Sequence, residues 1–307
     1  MQQEKAPTVS VCVITYNHGR YLRKCLQSIV DQRTEFAYEI IVGDDFSTDN
    51  TPEIICEFAD RYPQLIIPIL NRAKIGGTQN YVTTHMRARG DYVAHIDGDD
   101  LAYPGKLQRQ AEYLDARQDL ALVWHAVEII NDAGEPTGRL HRYIDDIVDT
   151  ANITRNSILR YGPLGAASSV MYRRAFANDL MNIKEDSLDY YFAARLLEYG
   201  NGARLKEVLG GYRYDPDTVT LSKTNSPYFR DSPMRKLYAK HLKHMYNCDK
   251  RVGDDIFLNS LFNSCVELRF LRPSVVAFLY LAMRTISISA VRQIPGYFSK
   301  ALRLRIR

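Results

Sequence analysis

The sequence predicts an α/β protein: a mainly parallel open sheet with flanking helices, followed by a helical C-terminal extension. Two observations carry this prediction. Continuous apolar runs alternate with amphipathic segments four times before residue 117, the pattern of strands buried on both faces and joined by helical crossovers. Beyond Pro227 the apolar spacing is helical throughout.

The elements follow in order. Val9–Ile14 reads as a buried strand, and residues 19–30 as a helix with apolar positions at Tyr21, Leu22, Leu26, Ile29 and Val30. Residues 39–42 form a second strand. Thr51 and Pro52 then cap and open a helix to about Asp60. Residues 65–70 are a third strand, and Thr78 opens a helix to Ala88. Residues 92–96 are a fourth strand, and 104–116 the next helix. In the second half, 120–130 around the single tryptophan Trp124, 167–172 and the short run 208–212 read as strands. Residues 187–199 read as a helix stopped by Gly200. Helices are expected at about 227–246, 254–270, 274–292 and 298–306. This organisation suggests a catalytic body at 1–225, made of halves 1–118 and 119–225, and a helical region at 226–307.

Composition narrows the class. Of 307 residues, 46% are hydrophobic and 25% charged, which excludes collagen-like, disordered and disulfide-scaffold proteins. The net charge of +4 is unevenly placed. Residues 271–307 hold seven cations and no acid, leaving 33 basic against 36 acidic residues in the rest. A mildly acidic body gives no electrostatic case for nucleic acid. The five cysteines are odd in number and form no C-x-x-C pair, as expected for free thiols in a reducing compartment. Residues 1–7 are polar without an apolar signal core, and the longest apolar run, 275–283, is too short to span a bilayer. A cytoplasmic protein is expected.

In a parallel open sheet, ligands bind beyond the carboxyl ends of the strands. Three strands end there in polar sets: Thr15-Tyr16-Asn17, Asp44-Asp45 and Asp97-Gly98-Asp99-Asp100. Three adjacent carboxylates repel one another unless a cation sits among them. Mg²⁺ or Mn²⁺ suits such oxygen donors and also chelates phosphates. A solvated acidic turn is the alternative reading of the same residues.

Residues 9–17, 39–49, and 89–100 with Pro104-Gly105-Lys106-Leu107 together resemble the nucleotide-sugar glycosyltransferases of family 2, of the kind that act in bacterial glycan biosynthesis. The resemblance is specific over 9–107 and weaker to about Thr220. It implies the A-type fold, with a Rossmann-like nucleotide-binding half, and an inverting, hexosyltransferase-type reaction. The donor would be a nucleoside-diphosphate sugar, UDP-linked in most cases. The acceptor would be a hydroxyl of a glycan or lipid-linked glycan in cell-surface polysaccharide synthesis. By carry-over, Thr15 and Asp45 contact base and ribose, with Tyr16 and Asn17 beside them. Asp97 lies near ribose and diphosphate, Asp99 is the main ligand of Mn²⁺ or Mg²⁺, and Asp100 approaches the donor sugar or acceptor. Lys74, Arg72 and Arg89 lie near the strand ends in sequence, where one would help hold the diphosphate, although Arg89 reads equally as a solvated helix-end cation.

An inverting transfer needs a base for the acceptor hydroxyl. In the resemblance an acid precedes a helix carrying Arg and then Gly. Counting back from Arg195 and Gly200, Asp189 takes that position. Asp186 is the second choice, since Glu185-Asp186 has the familiar pair three residues early. Related sequences carry Tyr-Arg-x-His near a later strand, where the His can reach the metal. Here Tyr212-Arg213-Tyr214 leads to Asp215, which can also ligate Mg²⁺ or Mn²⁺. His125, in an apolar strand, reads as a satisfied core histidine.

The acid-free tail at 271–307, with apolar and cationic positions interleaved, can lie on an anionic membrane. It suggests peripheral attachment at the cytoplasmic face of the inner membrane. Two other readings fit the same sequence: an aspartate-nucleophile phosphatase using Asp97 and Asp99, and a non-catalytic nucleotide- or glycan-binding module at a membrane.

Overall fold

The computed structural model describes residues 6–141, 147–177, 189–213, 233–269 and 275–306. They form two compact units. One comprises Met1–His141, Gly165–Ser187 and Arg195–Arg213. The other comprises Arg142–Leu164, Leu188–Ala194 and Tyr214–Arg307.

The first unit is a mixed sheet with helices, as expected of an α/β chain. Strands β1 (Val9–Thr15), β2 (Tyr38–Asp44), β3 (Ile66–Leu70) and β4 (Tyr92–Asp97) lie parallel in the order β3-β2-β1-β4. Helices α1 (Leu22–Val30), α2 (Thr51–Arg61) and α3 (Gly77–His85) connect them. Every residue of β1 but Ile14 is buried, because the strand is covered on both faces. Leu22, Cys25, Leu26 and Ile29 of α1 pack into the same core as Val9, Val11, Val13, Ile40 and Val42. That is the stripe the helical spacing marked out.

The sheet continues through antiparallel pairings. After β5 (Leu101–Ala102) and α4 (Lys106–Ala116) come β6 (Leu120–Ile130) and β7 (Pro136–His141). The second unit's α5 (Arg155–Tyr161) precedes β8 (Met171–Arg173), which returns to the sheet between β4 and β6 and is antiparallel to both. After α6 (Asp189–Leu196), β9 (Asn201–Arg213) runs parallel to β6 and pairs with β5.

Three expected elements differ in extent from the sequence expectation, and β5, β7 and α5 are not among the elements it names. The run at 208–212 is the end of a 13-residue strand, because register shifts opposite His125–Val127 expose Lys206 and Glu207 and break the alternation. Residues 167–169 form a 3-10 turn, so the strand there begins only at Met171. The expected helix at 274–292 is two: α9 (Val275–Thr285) and α10 (Ile288–Ile306), which follow α7 (Pro233–Cys248) and α8 (Gly253–Arg269). Ser287 interrupts them by accepting the Ala290 amide on its hydroxyl, as an N-cap does. Helix α10 then continues through Pro295, which forfeits one intrahelical bond without ending the helix.

In the second unit, Phe257, Leu258, Phe262, Ala282, Ala290 and Tyr297 form the core. Thr154 and Ser157 make a reciprocal capping box at the start of α5. Asn259 of α8 ties to the Leu159 carbonyl at 2.8 Å.

Two glycines set a contrast in the first unit. A Cβ on Gly165 would lie 2.3 Å from the Trp124 ring, whereas one on Gly77 meets nothing within 4 Å. Gly165→Ala is expected to cost about 1–3 kcal/mol through overpacking and to shift the emission of the single tryptophan. Gly77→Ala, at the start of a helix, should be neutral or slightly stabilising. Urea unfolding followed by tryptophan fluorescence separates the two, and equal midpoints would contradict the packing at Trp124.

Candidate active site

The parallel register sets the site. Thr15 pairs with Asp44, and Ile14 with both Gly43 and Asp97, so β1, β2 and β4 end together. The Asp45 amide donates to the Thr15 carbonyl (3.0 Å) and the Gly98 amide to the Ile14 carbonyl (2.8 Å). Gly98 permits close approach: a Cβ there would lie 2.9 Å from Thr15 Cβ and 3.0 Å from His18 Nδ1. The buried atoms Thr15 Oγ1 and His18 Nδ1 have no hydrogen-bond partner among the described residues.

The first loop is locked by its own polar residues. Asn17 adopts the left-handed region (φ 55°), tolerated by Asn. Its amide donates to Ser47 Oγ (2.8 Å), and its side-chain carbonyl accepts from the Thr48 amide (2.9 Å). Asp44 accepts from the Ser47 amide and hydroxyl. Asp45 is buried and accepts from the amides of Ile75 (2.7 Å) and Gly76 (3.1 Å). This draws the 71–76 loop over the strand ends and sets the Lys74 ammonium 3.6 Å from the centre of the Tyr16 ring, a cation–π contact.

The acidic turn after β4 is held from three directions. Ser168, in the 3-10 turn before β8, donates to Asp100 Oδ2 (2.5 Å) and accepts from the Asp97 amide (2.9 Å). Arg213, the last residue of β9, donates its amide to Asp100 Oδ1 (2.7 Å) and its Nε to the Asp99 carbonyl (2.7 Å). Its guanidinium also donates to the Asp132 carbonyl and lies over Tyr21. Behind the turn, Lys106 is buried and donates to the Ser168 carbonyl (2.9 Å) and to His125 Nε2 (2.8 Å). His125 Nδ1 in turn donates to the Ala126 carbonyl. His125 is therefore the satisfied core histidine the sequence suggested. Burial pushes the Lys106 ammonium down to about 7, against the pull of Asp100.

A buried relay reaches Asp97 from the other side. Tyr172 OH lies 2.7 Å from His85 Nδ1, His85 Nε2 lies 3.2 Å from His95 Nδ1, and His95 Nε2 lies 3.3 Å from Asp97 Oδ1. One tautomer on each ring satisfies every link, with the hydroxyl and ring N–H groups all donating toward Asp97. Burial, helped by His95, pushes His85 well below the ordinary histidine range.

The three carboxylates are unlike one another. Burial opposes the charge on Asp97, but His95, His18 and Ser168 more than offset it and hold its carboxyl below the usual range. Burial and then the neighbouring Asp97 charge raise Asp99, whose carboxylate accepts no hydrogen bond from another described residue. Asp100 is raised furthest, by burial and then by Asp99 and Asp97, and both its oxygens are engaged inside the protein.

Thr15, Tyr16, Asn17, Asp45, Lys74, Asp97, Asp99 and Asp100 are thus gathered by the strand ends of the first unit and the loop at 71–76. Arg89 is not among them. It caps the opposite edge, where it donates to the buried Glu39 through Nε (2.9 Å) and Nη2 (2.7 Å). Asp189 is the exposed first residue of α6 and belongs to the second unit. The aromatic residues after it are buried, with Tyr191 stacked on His241 at 4.3 Å. Asp186 and Asp215 lie outside the described residues. Sequence reasoning missed Ser168, Arg213 and the His95–His85 relay. Only the run Tyr212-Arg213 carried a signal for any of them.

Comparison with known proteins identifies the family. The profile of Glycosyl transferase family 2 matches residues 10–180. The chain belongs to glycosyl transferase family 2. An uncharacterised protein of Mycobacterium tuberculosis, Rv1520, is 36% identical over 208 residues, covering 67% of this chain and 58% of that protein. The chain thus spans a little over half the length of such curated relatives. The putative glycosyltransferase EpsE of Bacillus subtilis is 27% identical over 69% of this chain and 74% of that protein. Among solved structures, residues 1–349 of S. aureus TarS in complex with UDP-GlcNAc superpose with a TM-score of 0.68. The identity is 16%, over 96% of this chain and 88% of that one. The likeness shows a shared A-type fold.

The unequal carboxylates give a pH test. A carboxyl raised in the folded state binds more protons there than in the unfolded chain. The native state therefore loses stability as pH rises through the range above the ordinary aspartate value. Asp99→Asn removes that loss. Without added metal, its melting temperature should exceed the wild type's at pH 8 and converge with it toward pH 4. A constant difference across that range would contradict the desolvated triplet.

Proposed function

We propose that this family 2 chain is a metal-dependent, inverting glycosyltransferase. It moves a hexose from a nucleoside-diphosphate sugar, UDP-linked, to a hydroxyl of a glycan acceptor, including a lipid-linked one, in cell-surface polysaccharide synthesis. The observation that carries the reading is the shared edge where Thr15, Asp45 and the Asp97–Asp100 turn meet, with the Asp99 carboxylate and Thr15 Oγ1 making no hydrogen bond with another described residue. TarS, whose fold this chain shares, was solved with UDP-GlcNAc, and the mannosyltransferase PcManGT of Pyrobaculum calidifontis with GDP-Man and Mn²⁺.

The donor set suits a hard divalent ion. Among the described residues no three His, Cys, Asp or Glu side chains form a closed metal cage. Mg²⁺ and similar ions need no such cage, since they take one or two carboxylates and complete their shell with substrate phosphates. Asp99 would hold the ion, with Asp97 beside it and Asp215 as a further candidate. When bound, the ion supplies positive charge to the departing diphosphate.

The remaining roles fall to the chain itself. Thr15 offers the base or ribose a hydroxyl that no other described residue engages. Asp45 has two amides on its carboxylate and keeps acceptor capacity for a ribose hydroxyl or a base N–H. Tyr16 and Lys74 pair an aromatic face with a cation, which suits a base and its phosphates. Asn17 shapes the loop. Asp100 has both oxygens bonded inward, so we assign it the work of holding the turn and not of touching sugar or acceptor. Asp189, exposed at the start of its helix, would take the proton from the acceptor hydroxyl as the bond to the anomeric carbon forms and the diphosphate leaves. Asp186 stands second for that role.

Thermal melts with UDP, GDP and UDP-sugars, each with and without Mn²⁺, test the donor. A specific ligand at about 100 times its Kd stabilises by ~2.7 kcal/mol. UDP with Mn²⁺ should raise the melting temperature, and Asp99→Asn should lose the Mn²⁺-dependent part. Asp189→Asn should keep the UDP shift and lose transfer by about 10²–10⁴-fold. No shift with any nucleoside diphosphate would overturn the donor reading. Unchanged transfer in Asp189→Asn would pass the base role to Asp186.

A further inference from the structure

The C-terminal helices of the second unit are apolar on two sides. On α10, Ala290 and Tyr297 are buried, and Ile294 and Phe298 pack beside them around Phe262. That i, i+4, i+7 stripe is the inward face of the helix. On α9, Leu281, Ala282 and Thr285 are buried. The outward face of such a pair is ordinarily polar.

Here it is not. Met283 of α9 is 69% exposed, Ile286 of the connection 61%, and Ile288 at the start of α10 77%. Tyr280 and Val291 are exposed as well. Among the described residues, these five are nearly half of the eleven exposed large hydrophobic side chains, gathered within positions 280–291. Tyr280 and Met283 are three apart on one helix and Ile288 and Val291 three apart on the next, so each pair shares a face. Ile286 lies at the elbow between them. A concentrated apolar patch of this kind marks an interaction surface.

Its border is cationic and aromatic. Arg284 donates to Tyr280 OH (2.8 Å), and the Lys243 ammonium lies 5.6 Å from the Tyr280 ring. Tyr246 OH donates to the Arg284 carbonyl, and the Lys250 ammonium lies 3.9 Å from the Tyr246 ring. Arg292 is exposed one residue after Val291. Asp254 reaches the elbow but is taken up by the Ser287 hydroxyl. Residues 271–307 contain no acid. A second copy of the same face would bring these cations against each other with no carboxylate of the tail to meet them. An anionic lipid surface meets the apolar residues and the cations together.

We propose that the α9–α10 elbow is a docking surface for an anionic lipid bilayer. Met283, Ile286, Ile288 and Val291 enter the acyl boundary. Tyr246, Tyr280, Lys243, Lys250, Arg284 and Arg292 lie at headgroup level. The inference deepens the reading of a lipid-linked acceptor, and its test is independent of donor binding because no nucleotide is present.

The test is flotation of the full chain with vesicles of equal parts phosphatidylglycerol and phosphatidylcholine, against phosphatidylcholine alone. The chain should float with the anionic vesicles and be released by salt. Ile286→Ser combined with Ile288→Ser should lower the partition coefficient by about tenfold or more. Lys250→Ala and Arg284→Ala should each lower it about fivefold. Unchanged circular dichroism confirms that the variants fold, and Met283→Ser, on the other helix, serves if the double variant does not. Equal flotation with neutral vesicles, or undiminished flotation of both apolar variants, overturns the proposal. So does a concentration-dependent dimer, seen by sedimentation without flotation and abolished by the same substitutions, which would assign the face to a second copy.

Discussion

Three aspartates in four residues, two half-buried and one buried at the end of a central strand, impose the constraint to which the rest of the first unit responds. Packing Asp97, Asp99 and Asp100 together costs free energy through burial and mutual repulsion, and the raised positions of Asp99 and Asp100 express that cost. The chain offsets it locally. Arg213 and Ser168 hold Asp100, His95 leans on Asp97, and Lys106 sits buried behind the turn. Each of these comes from a different element. The long β9 ends where Arg213 can clamp the turn, the 3-10 turn before β8 presents Ser168, and α4 begins with Lys106.

That compensation is incomplete at one carboxylate. Asp99, half-buried, is left without a hydrogen bond from another described residue, and Thr15 Oγ1 is buried without a partner among the described residues. Unmade interactions of this kind are expensive in a finished interior. They become useful where a charged ligand completes them, and the nucleotide-sugar donor proposed above is a ligand of that kind. The apolar elbow of the second unit is the same kind of feature with opposite chemistry: hydrophobic area left exposed although the neighbouring core is well packed. Both are places where local stability is forgone and a partner can supply it.

Most of the parallel half was legible in the sequence. Apolar runs such as Val9–Thr15 are continuous because both faces of the strand are covered, so the signal depends on few distant contacts. The polar sets at the strand ends were legible for the same reason: a parallel register brings successive strand ends to one edge, and chain order alone says which residues lie there. The second half was harder. Residues 201–207 hid in β9 because a register shift exposes Lys206 and Glu207. The helix pair at 275–306 divided at Ser287, not at Pro295, because a side-chain cap can end a helix where a proline need not.

What the sequence determined by itself was the identity of the chemistry: hard oxygen donors after a buried strand, a Thr and an Asp at the two adjoining strand ends, and an acid-free tail. What only the tertiary structure decided was the state of each group. Asp100 and Asp99 are neighbours of the same type, yet both oxygens of one are bonded and the other accepts no hydrogen bond from another described residue. That difference comes from Arg213 and Ser168, which lie 113 and 68 residues away from Asp100. Arg89 likewise read as either a strand-end or a solvated helix-end cation, and it serves Glu39 at the opposite edge. Residue type and local spacing set what a group can do, whereas burial and long-range partners set its charge, its orientation and whether it remains available.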